Sequence, residues 1–143
     1  MPIRVETAKN QSLLGVVALV GTVYTLVGVV FGLPTGHVRA WRLAAWVVSG
    51  MAYAIHVGYE CLRLRNTSLS SALHAASAAA FGAFGLAVVA NVHSLSVATA
   101  NQQHKLLLIA LVAWPVITGA PAFLVGLAAS SLLLKLSRRG HVD

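Results

Sequence analysis

His56, Glu60 and Arg63 stand at helical spacing near the end of an apolar run, in the stretch AIHVGYECLR that covers residues 54–63. Imidazole exchanges protons near neutral pH and a carboxylate accepts protons or cations, so His56 and Glu60 are suited to proton handling or cation binding. A plainer chemistry is open to the same residues. An i,i+4 contact with His56, or an i,i+3 contact with Arg63, would neutralise Glu60 inside a membrane. At that depth Arg63 and Arg65 would also reach headgroup phosphates. Structural pairing is the expected role, and proton or cation handling is the alternative.

His74 joins the set by position. With a turn centred on Thr67, Glu60 and His74 lie seven residues away on opposite sides, which puts them at one depth on neighbouring antiparallel helices. Ser70, His74, Ala78, Phe81 and Gly85 share a stripe, so His74 is expected to face the helix that carries Glu60. Two histidines and a glutamate would suit a divalent metal such as zinc. The spacing matches no zinc signature and offers no fourth ligand, so no metal site is assigned. Ligation of a b-type haem needs two histidines at matching depth, whereas His56 matches position 77 or 78, an offset from His74 of about 4.5 Å. Haem, or a quinone beside Tyr53 and His56, stands as a second alternative; no cofactor is expected.

The trio belongs to a longer seam. At 100° per residue, Arg42, Trp46, Ser49, Tyr53, His56, Glu60 and Arg63 fall within an arc of about 100°. Most of the positions between them are apolar or small. This segregation predicts one face toward protein or water and the other toward lipid, because a charge in hydrocarbon is turned inward and paired.

Catalytic patterns are missing from the sequence. It has no serine–histidine–aspartate set, no HExxH, no phosphate loop and no second acid within an apolar run to pair with Glu60. The single cysteine, Cys61, excludes a CxxC motif or an internal disulfide. The expectation is a protein without catalysis of its own.

These residues are carried by a chain that is 58% hydrophobic and 9% charged over 143 residues, far from the roughly 25% charged residues of soluble domains. Its mean hydropathy is +0.82, and it is expected to be an all-α integral membrane protein. The formal charge of +7 comes from cations that flank apolar runs, which is the pattern of topology and headgroup anchors rather than of nucleic-acid binding. Crossing about 30 Å of hydrocarbon takes roughly 20 residues. Four runs qualify: Leu13 to Leu33, Ala40 to Leu62, Leu69 to Val92 and Leu106 to Leu134.

The whole chain, 1–143, is therefore expected to be one four-helix antiparallel domain, with helices at about 12–33, 39–64, 68–94 and 104–136. The first run is too long for a secretory h-region and lacks a small-residue cleavage site, so it reads as a retained anchor. Pro34 and Gly36 break the chain after it, and Thr67 or Ser68 is expected to cap the third helix. A longer polar connection, HSLSVATANQQHK, precedes the fourth. Its polar residues, with Asn91, are expected to be solvated.

Arg4, Lys9, Arg63, Arg65, Lys135, Arg138 and Arg139 gather on one side, against Arg39, Arg42 and Lys105 on the other. That bias predicts both termini in the cytoplasm, in a bacterial cytoplasmic (inner) membrane. Gly21, Thr25, Gly28 and Gly32 form a small-residue stripe expected to be a helix interface, internal or with another subunit. Pro115 and Pro121 are expected to kink the fourth helix.

Two function classes fit. The favoured one is an oligomeric or accessory subunit of a larger membrane complex, with lipid and other membrane subunits or copies of itself as partners. The alternative is a small proton- or cation-conducting transporter or channel built on His56, Glu60 and His74.

Overall fold

Long stretches of Leu, Ala and Val, with polar residues mostly at their ends, satisfy their backbone groups most readily as helices. The computed structural model describes residues 3–32, 36–64, 66–96 and 101–139, with side chains for 14–32, 36–64, 66–94 and 105–137. Four helices follow in order: α1 (Ile3–Gly32), α2 (Val38–Leu62), α3 (Ser68–Ser96) and α4 (Asn101–Arg139). There is no strand among the described residues.

Three helices contain segments long and apolar enough to cross a membrane, Leu14–Gly32, Ser68–Ser94 and Lys105–Ser137. The fourth expected crossing, α2, falls short by composition, because His56, Glu60, Arg39 and Arg42 lower its mean hydropathy. Pro34 and Arg65 lie outside the described residues, as do the side chains of Arg4, Lys9, Asn101, Gln102, Gln103, His104, Arg138 and Arg139.

The helices overrun the apolar stretches. α1 begins at Ile3, and α4 runs for 39 residues, about 58 Å at the usual rise. Glu, Lys and Gln are good helix formers, so a helix need not stop where lipid does. For the same reason the HSLSVATANQQHK connection is shorter than its polarity suggests. α3 continues to Ser96, and α4 starts at Asn101.

α3 is the most enclosed helix, as its small residues predict. Ala72, Ala75, Ala76, Ala78, Ala83 and Ala87 are all buried, and small side chains let neighbouring backbones come close. It packs most broadly on α4 and next on α1. Ser130 Oγ donates to Ser68 O at 3.1 Å, and Asn91 Nδ2 donates to Leu107 O at 2.8 Å. These two contacts, at opposite ends, make α3 and α4 antiparallel. Asn91 also donates to Ala87 O at 2.8 Å. Asn91 is thus a buried tie between helices rather than a solvated residue.

The small-residue stripe of α1 is spent on α3. Thr25 Oγ1 lies 3.1 Å from Gly21 O and 3.2 Å from Gly82 O, donating across the interface. A Cβ on Gly21 would meet Ala78 O at 3.0 Å, and one on Gly28 would press on Leu86. Gly32 has open space around it and takes no part. α3's own stripe is correspondingly divided. Ala78, Phe81 and Gly85 meet α1 rather than α2, because stripe membership identifies a face and not which neighbour covers it.

α4 is one helix through both Pro115 and Pro121. Between them a Cβ on Gly119 would stand 3.2 Å from Ala80 Cβ, so this segment serves close packing against α3.

α2 starts with His37 in the left-handed region, at φ 51° and ψ 40°, with no side-chain cap bond. Its carbonyl accepts from Ala40 N and Trp41 N at 2.8 and 3.2 Å. A residue with a Cβ is strained there and glycine is not. His37→Gly should therefore stabilise the protein, by up to about 1 kcal/mol. A thermal midpoint measured in detergent checks this; a lowered midpoint would mean the exposed ring makes a contact worth more than the strain.

Candidate functional site

The C-terminal half of α2 is the part that α3 and α4 cover. Val57, Cys61 and Ala75 form a buried apolar cluster, with Tyr53, Ala129 and Leu133 packed on it. Tyr53 OH donates to Ala122 O of α4 in a short hydrogen bond. Beside this cluster, on the same helical face, sit His56 and Glu60, with Glu60 only 1% exposed.

A carboxylate buried that deeply is tolerated only when its oxygens are bonded. Here the turn and α3 supply the partners. His74 Nδ1 lies 2.9 Å from Glu60 Oε2 and 3.1 Å from Oε1. With the carboxylate ionised, the ring nitrogen is the donor. Asn66 Nδ2 donates to Oε2 at 3.0 Å. His56 Nε2 stands further off, 3.6 Å from Oε1, beyond a normal hydrogen bond. That nitrogen is buried and has no hydrogen-bond partner, as are Ser71 Oγ and Tyr24 OH.

The local sequence explains how these groups meet. α2 ends as Arg63 N and Leu64 N donate to Tyr59 O at 2.9 and 3.3 Å. A wider closure follows, Asn66 N to Glu60 O at 3.2 Å, which folds the Asn66 side chain back over the carboxylate. Thr67 then caps α3: its Oγ1 accepts from Ser70 N at 3.3 Å. Nearly two turns into α3, His74 emerges at the depth of Glu60.

The structure therefore brings Glu60 together with His74 and, more loosely, with His56. Arg63 is not a partner of Glu60 among the described residues. It is the exposed C-cap of α2. The seam is also shorter than its periodicity implies. Ser49 and Tyr53 are half-buried, but Arg42 is exposed and Trp46 is 80% exposed. α3 and α4 cover only the later turns of α2. Near its start, α2 meets α1 through an edge-on contact between Trp41 and Phe31, with ring centroids 5.7 Å apart.

Asn66 is the site residue that spacing alone missed. The available signal was an asparagine directly before a helix-capping threonine, in a loop short enough to return to the carboxylate.

The arrangement can neutralise and hold a buried acid, and it can accept or pass a proton. Among the described residues, no group of three or more His, Cys, Asp or Glu is arranged to hold a metal ion. No protein-family profile, curated protein or solved structure matches the chain.

Proposed function

We infer that this is a small integral membrane protein in which all four helices cross the bilayer as an antiparallel bundle, and that it works without catalysis as an oligomeric or accessory subunit of a larger membrane complex. One observation carries this reading. Glu60, the only acid between Glu6 and Asp143, is enclosed in bonds to His74 and Asn66, so the one acid within the apolar runs serves to join α2 to α3.

A crossing by α2 is supported by its 25 residues, about 37 Å at the usual rise, with its cations near the start and its acid buried. The carbonyls of Leu111 and Ile117, deprived of donors by Pro115 and Pro121, favour a bend in α4. The distribution of Lys and Arg favours cytoplasmic termini. Because α1 uses its glycine stripe on α3, a foreign subunit or second copy would meet the broad apolar sides of the helices instead.

Purification from the native membrane in mild detergent, read by mass spectrometry and absorbance, tests the reading. Companion subunits or further copies in fixed ratio, without colour, are expected. A solitary monomer, or a visible haem spectrum, would count against it.

A second reading is favoured by the unpartnered Nε2 of His56: a small proton- or cation-conducting protein using His56, Glu60 and His74. In that case Glu60→Gln would abolish flux into liposomes while leaving assembly intact. Unchanged flux would remove Glu60 as the carrier.

A further inference from the structure

We propose that His74, Glu60 and His56 form a directional proton-binding relay, in which His74 admits a proton from outside the bundle and His56 holds it inside. The proposal deepens the second reading, since it specifies which atom takes the proton at each step. It does not require that the proton cross the membrane.

Burial sets the direction. The His74 side chain is 22% exposed, whereas those of Glu60 and His56 are 1% and 5% exposed. His74 is therefore the member that meets the surroundings, and the other two lie behind it. The hydrogen bonds assign the oxygens. Oε2 accepts from Asn66 at 3.0 Å and also lies 2.9 Å from His74 Nδ1, but it is Oε1 that faces both rings. Oε1 is left between the two rings, 3.1 Å from His74 Nδ1 and 3.6 Å from His56 Nε2. A small side-chain rotation closes the second gap to hydrogen-bond length. His56 Nε2, buried and without a partner, is an atom of the kind that calls for an explanation in a folded protein. The relay supplies one.

Each step conserves protons. A proton from water bonds to His74 Nε2 as the Nδ1–H bond breaks and that proton passes to Oε1. The Oε1–H bond then breaks as the proton bonds to His56 Nε2. His74 is left neutral as its other tautomer, with its proton on Nε2, Glu60 returns to a carboxylate, and His56 becomes an imidazolium facing that carboxylate. Imidazole is the side chain suited to such a cycle near neutral pH.

Among the described residues, the surroundings of the trio bring few titratable groups to it. On α2, Tyr53 lies one turn before His56, the free thiol of Cys61 is buried in the adjoining apolar cluster, and Arg63, one turn past Glu60, is exposed. α3 contributes His74 and the uncharged Ser71, and the turn contributes Asn66. The α4 residues packed against this region, Gly126, Ala129, Ser130 and Leu133, carry no charge. Among the described side chains of α1, Tyr24 carries the one titratable group, and its hydroxyl is buried.

Nitrogen-15 histidine NMR on the full chain in lipid nanodiscs tests the relay between about pH 5 and pH 8. The expected result is that the His56 ring gains its second proton over the same interval as a change in His74, as coupled sites do. Glu60→Gln should uncouple the two rings. His74→Gln should slow proton exchange at His56 at least tenfold.

A His56 ring that stays neutral throughout in the wild type would overturn the proposal, whatever the variants do. So would a His56 titration unchanged by Glu60→Gln in a protein whose His93 signals show it folded. Proton uptake at His56 without flux in liposomes would uphold the relay and dismiss transport.

Discussion

Glu60→Leu is expected to destabilise the protein by about 3 kcal/mol or more, the usual loss when one member of a buried pair is removed. The substitution leaves Asn66 Nδ2 and His74 Nδ1 without their common acceptor in a place where Glu60 is 1% exposed. Leucine fills the volume, so the loss reports polar bonding rather than a cavity. Glu60→Gln should cost less, because an amide oxygen still accepts from one of the two donors. Thermal midpoints of the purified variants in detergent, compared at one protein concentration, read both effects. A Glu60→Leu protein as stable as the wild type would mean that α2 is held by its apolar contacts alone.

The second large effect belongs to the contact between α1 and α3. A Cβ on Gly82 would stand 2.5 Å from Tyr24 Cβ and 3.1 Å from Gly21 O. The second of these is backbone, which cannot swing aside. Gly82→Val must therefore push the helices apart, stretching the bond from Thr25 to Gly82 O and loosening Gly21 from Ala78. Overpacking of this kind costs about 1 to 3 kcal/mol. In a membrane, close approach of small residues is itself the attraction between helices, so the upper end of that range is expected. Gly58→Ala is the matched control: nothing lies within 4 Å of its would-be Cβ, and alanine is the better helix former by about 1 kcal/mol. Its midpoint should hold or rise. A Gly82→Val protein as stable as Gly58→Ala would contradict the interface between α1 and α3.

Much of this arrangement was legible in the residues. Apolar run length located the helices, and counting outward from Thr67 placed His74 opposite Glu60. What periodicity could not reveal was which neighbour covers a given turn. The α3 stripe divides between α1 and α2, and α3 and α4 cover only the later turns of α2. Both outcomes depend on where the helices lie in space, and no local pattern encodes that. The polarity of Asn91 by itself suggests water, whereas its amide bonds two helix carbonyls. Asn66 was missed because its role arises from the closure between Asn66 N and Glu60 O, a property of the turn rather than of spacing along a helix.

The central claim is that Glu60 binds α2 to α3 through His74, and a double-mutant cycle measures this most directly. Glu60→Leu, His74→Leu and the double variant are compared with the wild type for stability in detergent. Residues in direct contact couple by about 0.5 to 3 kcal/mol. The expected result is coupling in the upper half of that range, with the double variant losing little more than Glu60→Leu alone. Additive losses would contradict the claim and leave the carboxylate without a structural partner on α3.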